Sequence, residues 1–287
     1  MTAQARLQKA VDITVRKLSL RPSADIARHF HSGDPFLSAF FAAMSSVFPD
    51  GERFFIDSVR HYQKQLNDPE LVQQVRRFIG QEAHHGQEHE AFNQWLTDKG
   101  YPVGETLRRL AEGLTAARER LSARQQLAMT LALEHFTAIM ANQFLTMPEL
   151  SDQMHPEIRE LFIWHAVEET EHKAVAYDLY KDVNGNYLER QRLFLSSTAY
   201  LIGFSSYFTW QMLKRDNVHK KPLTLAKGLW KGFGYRGVIS SIVPAWFSYL
   251  KPGFHPWDDD NSVRLVSVAR TDRRFVWSST AQDVTAD

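Results

Sequence analysis

The chain has 287 residues, of which 44% are hydrophobic and 12% aromatic, a composition typical of a folded globular protein. Its 34 basic and 33 acidic residues nearly cancel, so no overall charge favours nucleic acid as a partner. The sequence contains no cysteine, which excludes disulfides, thiolate zinc sites, iron–sulfur clusters and thiol catalysis. Any bound metal must therefore be held by nitrogen and oxygen ligands.

The N-terminal segment, residues 1–34, is polar, and its apolar residues mostly alternate with polar ones. That pattern fits either a short strand or an extended arm. The segment has no continuous apolar run of the kind that a cleaved signal peptide needs, and we therefore expect a cytoplasmic protein.

Four long helices are predicted between residues 35 and 185, which makes the chain all-α. Asp34-Pro35 and Asp68-Pro69 are helix starts, Ser122 can cap a third helix, and Pro156 opens a fourth. Pro49 interrupts the first, which gives either one kinked helix or two abutting helices. The predicted spans are about 35–66, 69–99, 122–147 and 156–184, with an amphipathic connector at 104–120.

The region after residue 186 combines apolar and basic segments. Residues 193–213 carry no charge and are long enough to span a bilayer, but four Ser, two Thr and a Gln favour a buried helix covering the bundle. A basic linker follows, and then a second apolar run at 237–250 that is too short to span. Peripheral or integral contact with the inner membrane through 193–250 is the alternative. The predicted division is a 1–34 arm, a 35–185 metal-binding bundle, 186–257 apolar helices packed on the bundle or on a membrane surface, and a 258–287 tail.

Acidic residues and histidines recur at matched positions on the four helices. A helical Glu-x-x-His places a carboxylate and an imidazole on adjacent turns, where both can reach one metal, and two such motifs with two lone glutamates make a dinuclear site in a four-helix bundle. Counted from the predicted starts, the acids on the last three helices lie about 11 to 13 residues in, so neighbouring helices bring them to one level. The predicted ligands are Glu52, Glu82 with His85, Glu134, and Glu169 with His172.

His165 extends this set, because it precedes Glu169 by four residues and His172 by seven and so shares their helix face. It is either a seventh ligand or a hydrogen-bonded histidine behind the ligands. Glu168 competes with Glu169, since it lies four residues before His172, but the repeated three-residue spacing favours Glu169. Nitrogen and oxygen ligands suit two iron ions, with manganese as an alternative.

Other acids and histidines near the motifs have simpler interpretations. Glu52 can instead lie in the first turn of a helix beginning at Asp50, where the helix dipole stabilises a carboxylate. His89 follows His85 by one turn and fits a pocket or a supporting role better than ligation. The remaining candidates are assigned to the surface or to a place behind the ligands: His84, Glu88 and His135.

The order Glu, Glu-x-x-His, Glu, Glu-x-x-His resembles the ferritin-like di-iron carboxylate proteins, which implies a ferritin-like four-helix bundle with additional C-terminal helices. His-x3-Glu-x2-His on the fourth helix resembles the arylamine N-oxygenases of the p-aminobenzoate type, in which an extra His joins one iron. A wider resemblance, carried by SSVFPDGERFF, QEAHHGQEH, the same fourth-helix motif and YLKPGFHPW, is to a bacterial family described as "predicted metal-dependent hydrolase".

These resemblances imply roles for the individual residues. Glu82 and Glu169 would bridge two metals, and Glu52 and Glu134 would be terminal ligands. The nitrogen ligands would be His85, His172 and His165. Glu52 departs from the usual pattern, because it stands beside Pro49 and Gly51 rather than within a regular helix.

The function predicted from these residues is a dinuclear, di-iron oxidoreductase that uses O₂ as co-substrate to oxidise a small, apolar substrate. The electron donor would come from outside the chain, and the sequence does not identify it. Hydrolysis at a dinuclear site and a non-catalytic metal-binding bundle are the alternatives.

Overall fold

The computed structural model describes residues 12–259 and 261. Within these residues all regular structure is helical, apart from one isolated bridge between His31 and Met154, which confirms the all-α prediction. The helices are α1 (Pro35–Ser46), α2 (Phe48–Arg60), α3 (Pro69–Asp98), α4 (Val103–Arg120), α5 (Ala123–Thr146), α6 (Pro148–Ser151), α7 (Pro156–His172), α8 (Val175–Asp182), α9 (Tyr187–Arg215), α10 (Pro222–Phe233) and α11 (Val243–Ser248).

The helix starts follow the predicted capping signals. Asp34 accepts hydrogen bonds from the first backbone amides of α1, Asp68 caps α3, and Ser122 forms a capping box with Gln125 at the start of α5. Of the two options for the first span, the structure has two abutting helices separated only by Val47. The second of these begins two residues before Asp50.

The prediction of a single fourth helix is wrong, because the structure divides this span into α7 and α8. No proline or glycine stands at the break, which falls on Lys173 and Ala174. The Lys173 ammonium donates hydrogen bonds to the Asp259 carbonyl and the Asn261 side chain. The break therefore coincides with a contact between residues almost ninety positions apart, which the local sequence pattern does not predict.

The N-terminal residues from 12 to 34 form an extended arm with turns rather than a strand. Ile13 and Leu20 anchor it in the core. Two apolar clusters make up that core, and α3 runs from one to the other: Phe78 belongs to the first and Phe92 to the second. The residues between them on α3 include Glu82 and His85, so the predicted site lies between the two clusters.

The C-terminal helices pack along one side of the bundle. α9 buries Phe194, Phe208 and Met212 and leaves Leu195 and Ile202 exposed. α10 lies on α1, with Gly228 and Gly232 facing Phe36. None of the helices in the described part of the chain combines the length and apolar character that crossing a membrane requires.

The glycines of α9 and α10 give a matched test of this packing. A Cβ added at Gly228 would lie 2.3 Å from the Phe36 Cβ, whereas one added at Gly203 of α9 would meet nothing within 4 Å. We expect Gly228→Ala to lose about 1–3 kcal/mol of unfolding free energy through overpacking. Gly203→Ala should instead gain about 0.5–1 kcal/mol, because alanine favours the helix. Urea unfolding measures both, and equal stabilities would contradict the packing of α10 on α1.

Candidate metal centre

The predicted ligand residues converge in the middle of the bundle. Glu52 comes from α2, Glu82 and His85 from α3, Glu134 from α5, and the remaining three from α7. Each of these residues is at most 5% exposed. The structure therefore brings together all seven predicted residues: Glu52, Glu82, His85, Glu134, His165, Glu169 and His172.

Two histidines mark opposite ends of the cluster, and two carboxylates lie between them. The His85 Nδ1 atom is 3.4 Å from Glu82 Oε1 and 3.5 Å from Glu169 Oε1. At the other end, the His172 Nε2 atom is 3.2 Å from the same Glu82 oxygen and 3.6 Å from the same Glu169 oxygen. Glu82 and Glu169 thus lie between the two histidines, and their bridging role stays a prediction.

The two remaining carboxylates lie at the ends. Glu134 Oε2 is 3.3 Å from His172 Nε2, and Glu52 Oε1 is 3.8 Å from His165 Nε2. Glu52 also forms a compact group of metal-binding type with Glu82 and His85. The arrangement agrees with the predicted terminal roles of Glu52 and Glu134, and ligation itself stays a prediction.

The rings of the end histidines are oriented by hydrogen bonds on their far sides. The His85 Nε2 atom contacts Glu168 Oε2 at 3.1 Å, and the His172 Nδ1 atom contacts Gln81 Oε1 at 2.8 Å. When the rings are neutral and donate to these partners, the opposite ring nitrogens, which face the cluster, carry a lone pair. Burial acts to lower the pKa of His172, but Glu169 and Glu134 outweigh it and raise that pKa well above its ordinary value, so the proton on the inner nitrogen would leave when a cation binds. Glu168 is therefore behind His85 rather than in the cluster.

His165 takes part in a chain of hydrogen bonds that leads out of the cluster. Its Nε2 atom is 2.8 Å from Glu169 Oε1, and its Nδ1 atom is 2.8 Å from His89 Nε2. His89 in turn contacts the Ser45 hydroxyl at 2.7 Å. His89 thus hydrogen-bonds to the side of His165 opposite Glu169, but it also forms a compact group of metal-binding type with Glu52 and His165, so its supporting role stays a prediction.

Many polar atoms in this cluster have no hydrogen-bond partner within the described residues. Leaving a buried polar atom unpaired costs on the order of 1–3 kcal/mol, and more for a charged one. A group of such atoms pointing at one another therefore fits bound cations, which carboxylate oxygens and imidazole nitrogens ligate. The atoms are both carboxylate oxygens of Glu52, Glu82 and Glu134, Glu169 Oε2, His85 Nδ1 and His172 Nε2.

The pKa values of the buried carboxyl groups also fit a site for cations. Burial, together with the neighbouring carboxylates, raises the pKa of Glu52 and of Glu82 well above the ordinary range, and burial with Glu169 raises the pKa of Glu134 to about 7. Burial also acts to raise the pKa of Glu169, but the nearby imidazoles of His172 and His165 outweigh it and lower that pKa. Protons thus occupy places that metal cations would take, and metal binding would release them.

The arm closes one side of the site. The backbone amides of Thr14 and Arg16 each donate a 3.0 Å hydrogen bond, to Glu171 Oε2 and Glu168 Oε1 respectively. The Arg16 guanidinium forms a two-pronged contact with Glu171 at 2.6 and 2.8 Å. Gln81 joins this arm to the cluster, because its amide group donates to Thr14 and to Glu171 while its oxygen faces His172.

Sequence reasoning missed the parts played by Arg16 and Gln81, which depend on contacts from a distant arm. The remaining acids and histidines lie away from the ligand set. Glu88 accepts hydrogen bonds from two arm amides, and His135 contacts the Ala245 carbonyl. A cavity of about 170 Å³ lies beside His135 and the C-terminal segment, and the predicted ligands are not among its lining residues.

A comparison with known protein families supports a metal-dependent role. A family model described as "predicted metal-dependent hydrolase" matches residues 14–260, a range that includes the arm from Thr14 onward and every helix of the described chain. No curated protein and no solved structure matches the chain. The resemblances to ferritin-like di-iron proteins and to N-oxygenases stay predictions.

The raised pKa of Glu134 predicts how the metal-free protein responds to pH. The folded state favours the protonated carboxyl, so its stabilising effect is complete below the ordinary pKa of 4.5 and is lost as the pH rises through about 7. The full change is about 3 kcal/mol. Glu134→Gln cannot ionise and should lose this part of the pH dependence.

Urea unfolding in the presence of a chelator, at several values from about pH 5 to 8, measures the effect. Glu90→Gln, an exposed change on α3, is the control. Identical pH profiles for Glu134→Gln and the unaltered chain would show that Glu134 does not titrate in this range.

Proposed function

The chain belongs to the family of predicted metal-dependent hydrolases, and we propose that its buried Glu/His cluster is a reaction centre for two metal ions. The observation that carries this proposal is the set of unpartnered carboxylate and imidazole atoms that meet at the centre of the bundle. Glu52, His85 and His165 would hold one ion, and Glu134 and His172 the other. Glu82 and Glu169 would contact both.

The reaction that this donor set supports best is oxidation of a small, apolar substrate by O₂. The donors are four carboxylates and three imidazoles with no sulfur, a combination that suits iron and, as an alternative, manganese. Two ferrous ions would supply electrons to O₂, and an external donor would restore them. The protein's part is to fix the donor atoms and to keep water away.

Aromatic side chains carry out that exclusion around the histidines. The ring of Phe48 lies edge-on to both His89 and His165 with centroids 4.8 Å apart, Phe78 lies edge-on to His172, and Trp164 to His85. These rings make the surroundings of the cluster apolar, which supports an apolar substrate. Glu168 and Gln81 hold the outer protons of His85 and His172 and so keep the inner nitrogens available.

Hydrolysis is the second candidate, and the description of the family favours it. In that reaction metal ions held by the same residues would supply an activated water for the hydrolysis of an ester or phosphate. Such a substrate would have to reach a cluster whose side chains are all nearly buried, which requires the arm or a neighbouring helix to move.

Metal stoichiometry tests the two-ion centre. Purified protein loaded with ferrous iron under anaerobic conditions should contain two ions per chain. Glu169→Ala removes a carboxylate that contacts both ends and should leave at most one ion. Glu168→Ala removes the hydrogen bond behind His85 and the contacts of Glu168 with Arg16 of the arm, but no atom that faces the cluster. We expect this variant to keep both ions with an affinity about 10- to 100-fold lower. If Glu168→Ala lost an ion and Glu169→Ala kept both, Glu168 rather than Glu169 would be the ligand.

Oxygen consumption separates the two reactions. The ferrous protein should consume O₂ in the oxidase reaction, and Glu82→Ala should abolish that consumption while the fold is retained, as followed by circular dichroism. Zinc- and manganese-loaded protein is assayed in parallel on ester and phosphoester substrates. Hydrolysis that depends on Glu82, without O₂ consumption by the iron form, would replace oxidation as the function. Metal binding without either activity would indicate a non-catalytic metal-binding protein.

A further inference from the structure

Helix α10 is oriented with its apolar side outward. Three of its large side chains are unusually exposed for their type: Leu223 is 78%, Trp230 67% and Phe233 58% exposed. Leu223 and Trp230 are seven residues apart, and Ala226 and Phe233 likewise, so they lie along one face of the helix. The opposite side includes Gly228 and Gly232, which are buried against α1, and Leu225, which packs on the core.

This orientation is fixed by contacts on the inner side. The Gly228 backbone approaches Phe36 so closely that no larger residue fits. Lys231 pairs with Asp34 at 2.6 Å, and the carbonyls of Lys231 and Gly232 accept hydrogen bonds from Val238 and Ile239. The helix cannot rotate about its axis to bury its aromatic residues without losing these contacts. The contacts of the inner side therefore keep the apolar face exposed.

Basic residues surround that face. Seven lysines and arginines occur between residues 214 and 236, against a single acid, Asp216, which is already bonded to Arg28 and His29. Within residues 218–236, four basic side chains are exposed and form no ion pair with the described part of the chain: Lys220, Lys221, Lys227 and Arg236. The surface therefore combines exposed Leu, Trp and Phe with uncompensated positive charge.

From this combination we propose that α10 and the adjoining turns dock the protein on an anionic membrane surface. Trp and Phe side chains enter the boundary between headgroups and acyl chains, and lysines beside them contact anionic headgroups. With 12 residues, α10 is about 18 Å long, which suits a helix that lies in the plane of the interface. The surface is defined here as residues 218–236.

The positive charge favours a membrane over a second copy of the chain as the partner. In a symmetric dimer the same patch meets itself, so the exposed basic side chains of the two copies would lie close together and repel. An anionic lipid surface attracts all of them at once. The interaction should therefore weaken when salt screens the charges.

Sedimentation with vesicles tests the proposal on the full-length, metal-loaded protein. We expect binding to vesicles of phosphatidylcholine mixed with phosphatidylglycerol, much weaker binding to phosphatidylcholine alone, and loss of binding as salt is raised. Trp230→Ser with Phe233→Ser should reduce binding at least tenfold. Charge reversal at Lys220, Lys221 and Lys227 should reduce it by at least about fivefold for each residue changed, because each reversal removes an attraction and adds a repulsion.

Matched controls come from other exposed positions. Leu188→Ser changes a side chain that is 77% exposed but lies at the start of α9, and Lys64→Glu and Lys181→Glu change exposed lysines elsewhere. These variants should bind like the unaltered protein. Because the chain has no cysteine, Ala226→Cys can carry an environment-sensitive fluorophore that shifts to the blue on vesicle binding, while the same label at Ala111→Cys on α4 should not respond.

Three results would overturn the proposal. One is equal binding to neutral and anionic vesicles that does not depend on Lys220, Lys221 and Lys227. Another is unchanged vesicle binding after the Trp230 and Phe233 substitutions, or no response from the label at residue 226. The third is absence of vesicle binding together with a dimer, seen by analytical ultracentrifugation, that the same substitutions dissociate; the face would then be a contact between two copies.

Discussion

The structure depends on the electrostatics of four carboxylates enclosed between two apolar clusters. In a region that excludes water, their mutual repulsion is offset only by protons, by imidazolium or by bound cations. The pKa of Glu169 is held low by the neighbouring imidazoles, whereas those of Glu52, Glu82 and Glu134 are raised. The same helices that form the core thus carry a buried Glu/His cluster whose carboxylates must be neutralised by protons, by imidazolium or by the metal ions that we propose.

A second layer of acids lies just outside the first and is balanced differently. Glu168 and Glu171 of α7 and Glu88 of α3 receive their hydrogen bonds from the backbone and arginine side chain of the N-terminal arm. Gly80 of α3 makes room for this arm, because a Cβ there would lie only 3.0 Å from a methyl group of Val15. The arm is therefore part of the site's construction, although none of its residues faces the metal-binding atoms.

Whether a feature of the fold or of the site could be predicted from the sequence depends on how far apart in sequence the interacting residues lie. The Glu-x-x-His motifs and the helix starts are local, so the sequence placed the ligand residues on helices and favoured Glu169 over Glu168, an arrangement with which the geometry agrees. Glu52 was harder, because a new helix begins at Phe48, close before it, so its depth in a helix cannot be compared with those of the other acids. The division after His172, the role of Gln81 and the path of the arm depend on partners far away in sequence, which no local period encodes.

The distance in sequence between the arm and α7 has a consequence for how the protein folds. The hydrogen bonds from Thr14 to Glu171 and from Arg16 to Glu168 join residues 157 and 152 positions apart. Contacts that close such long loops form late, after the more local helix pairs. We therefore expect a stage in which the helices are assembled and the carboxylates still face water. At that stage hydrated cations would reach the carboxylates more readily than in the finished bundle, where the arm covers one side of the cluster.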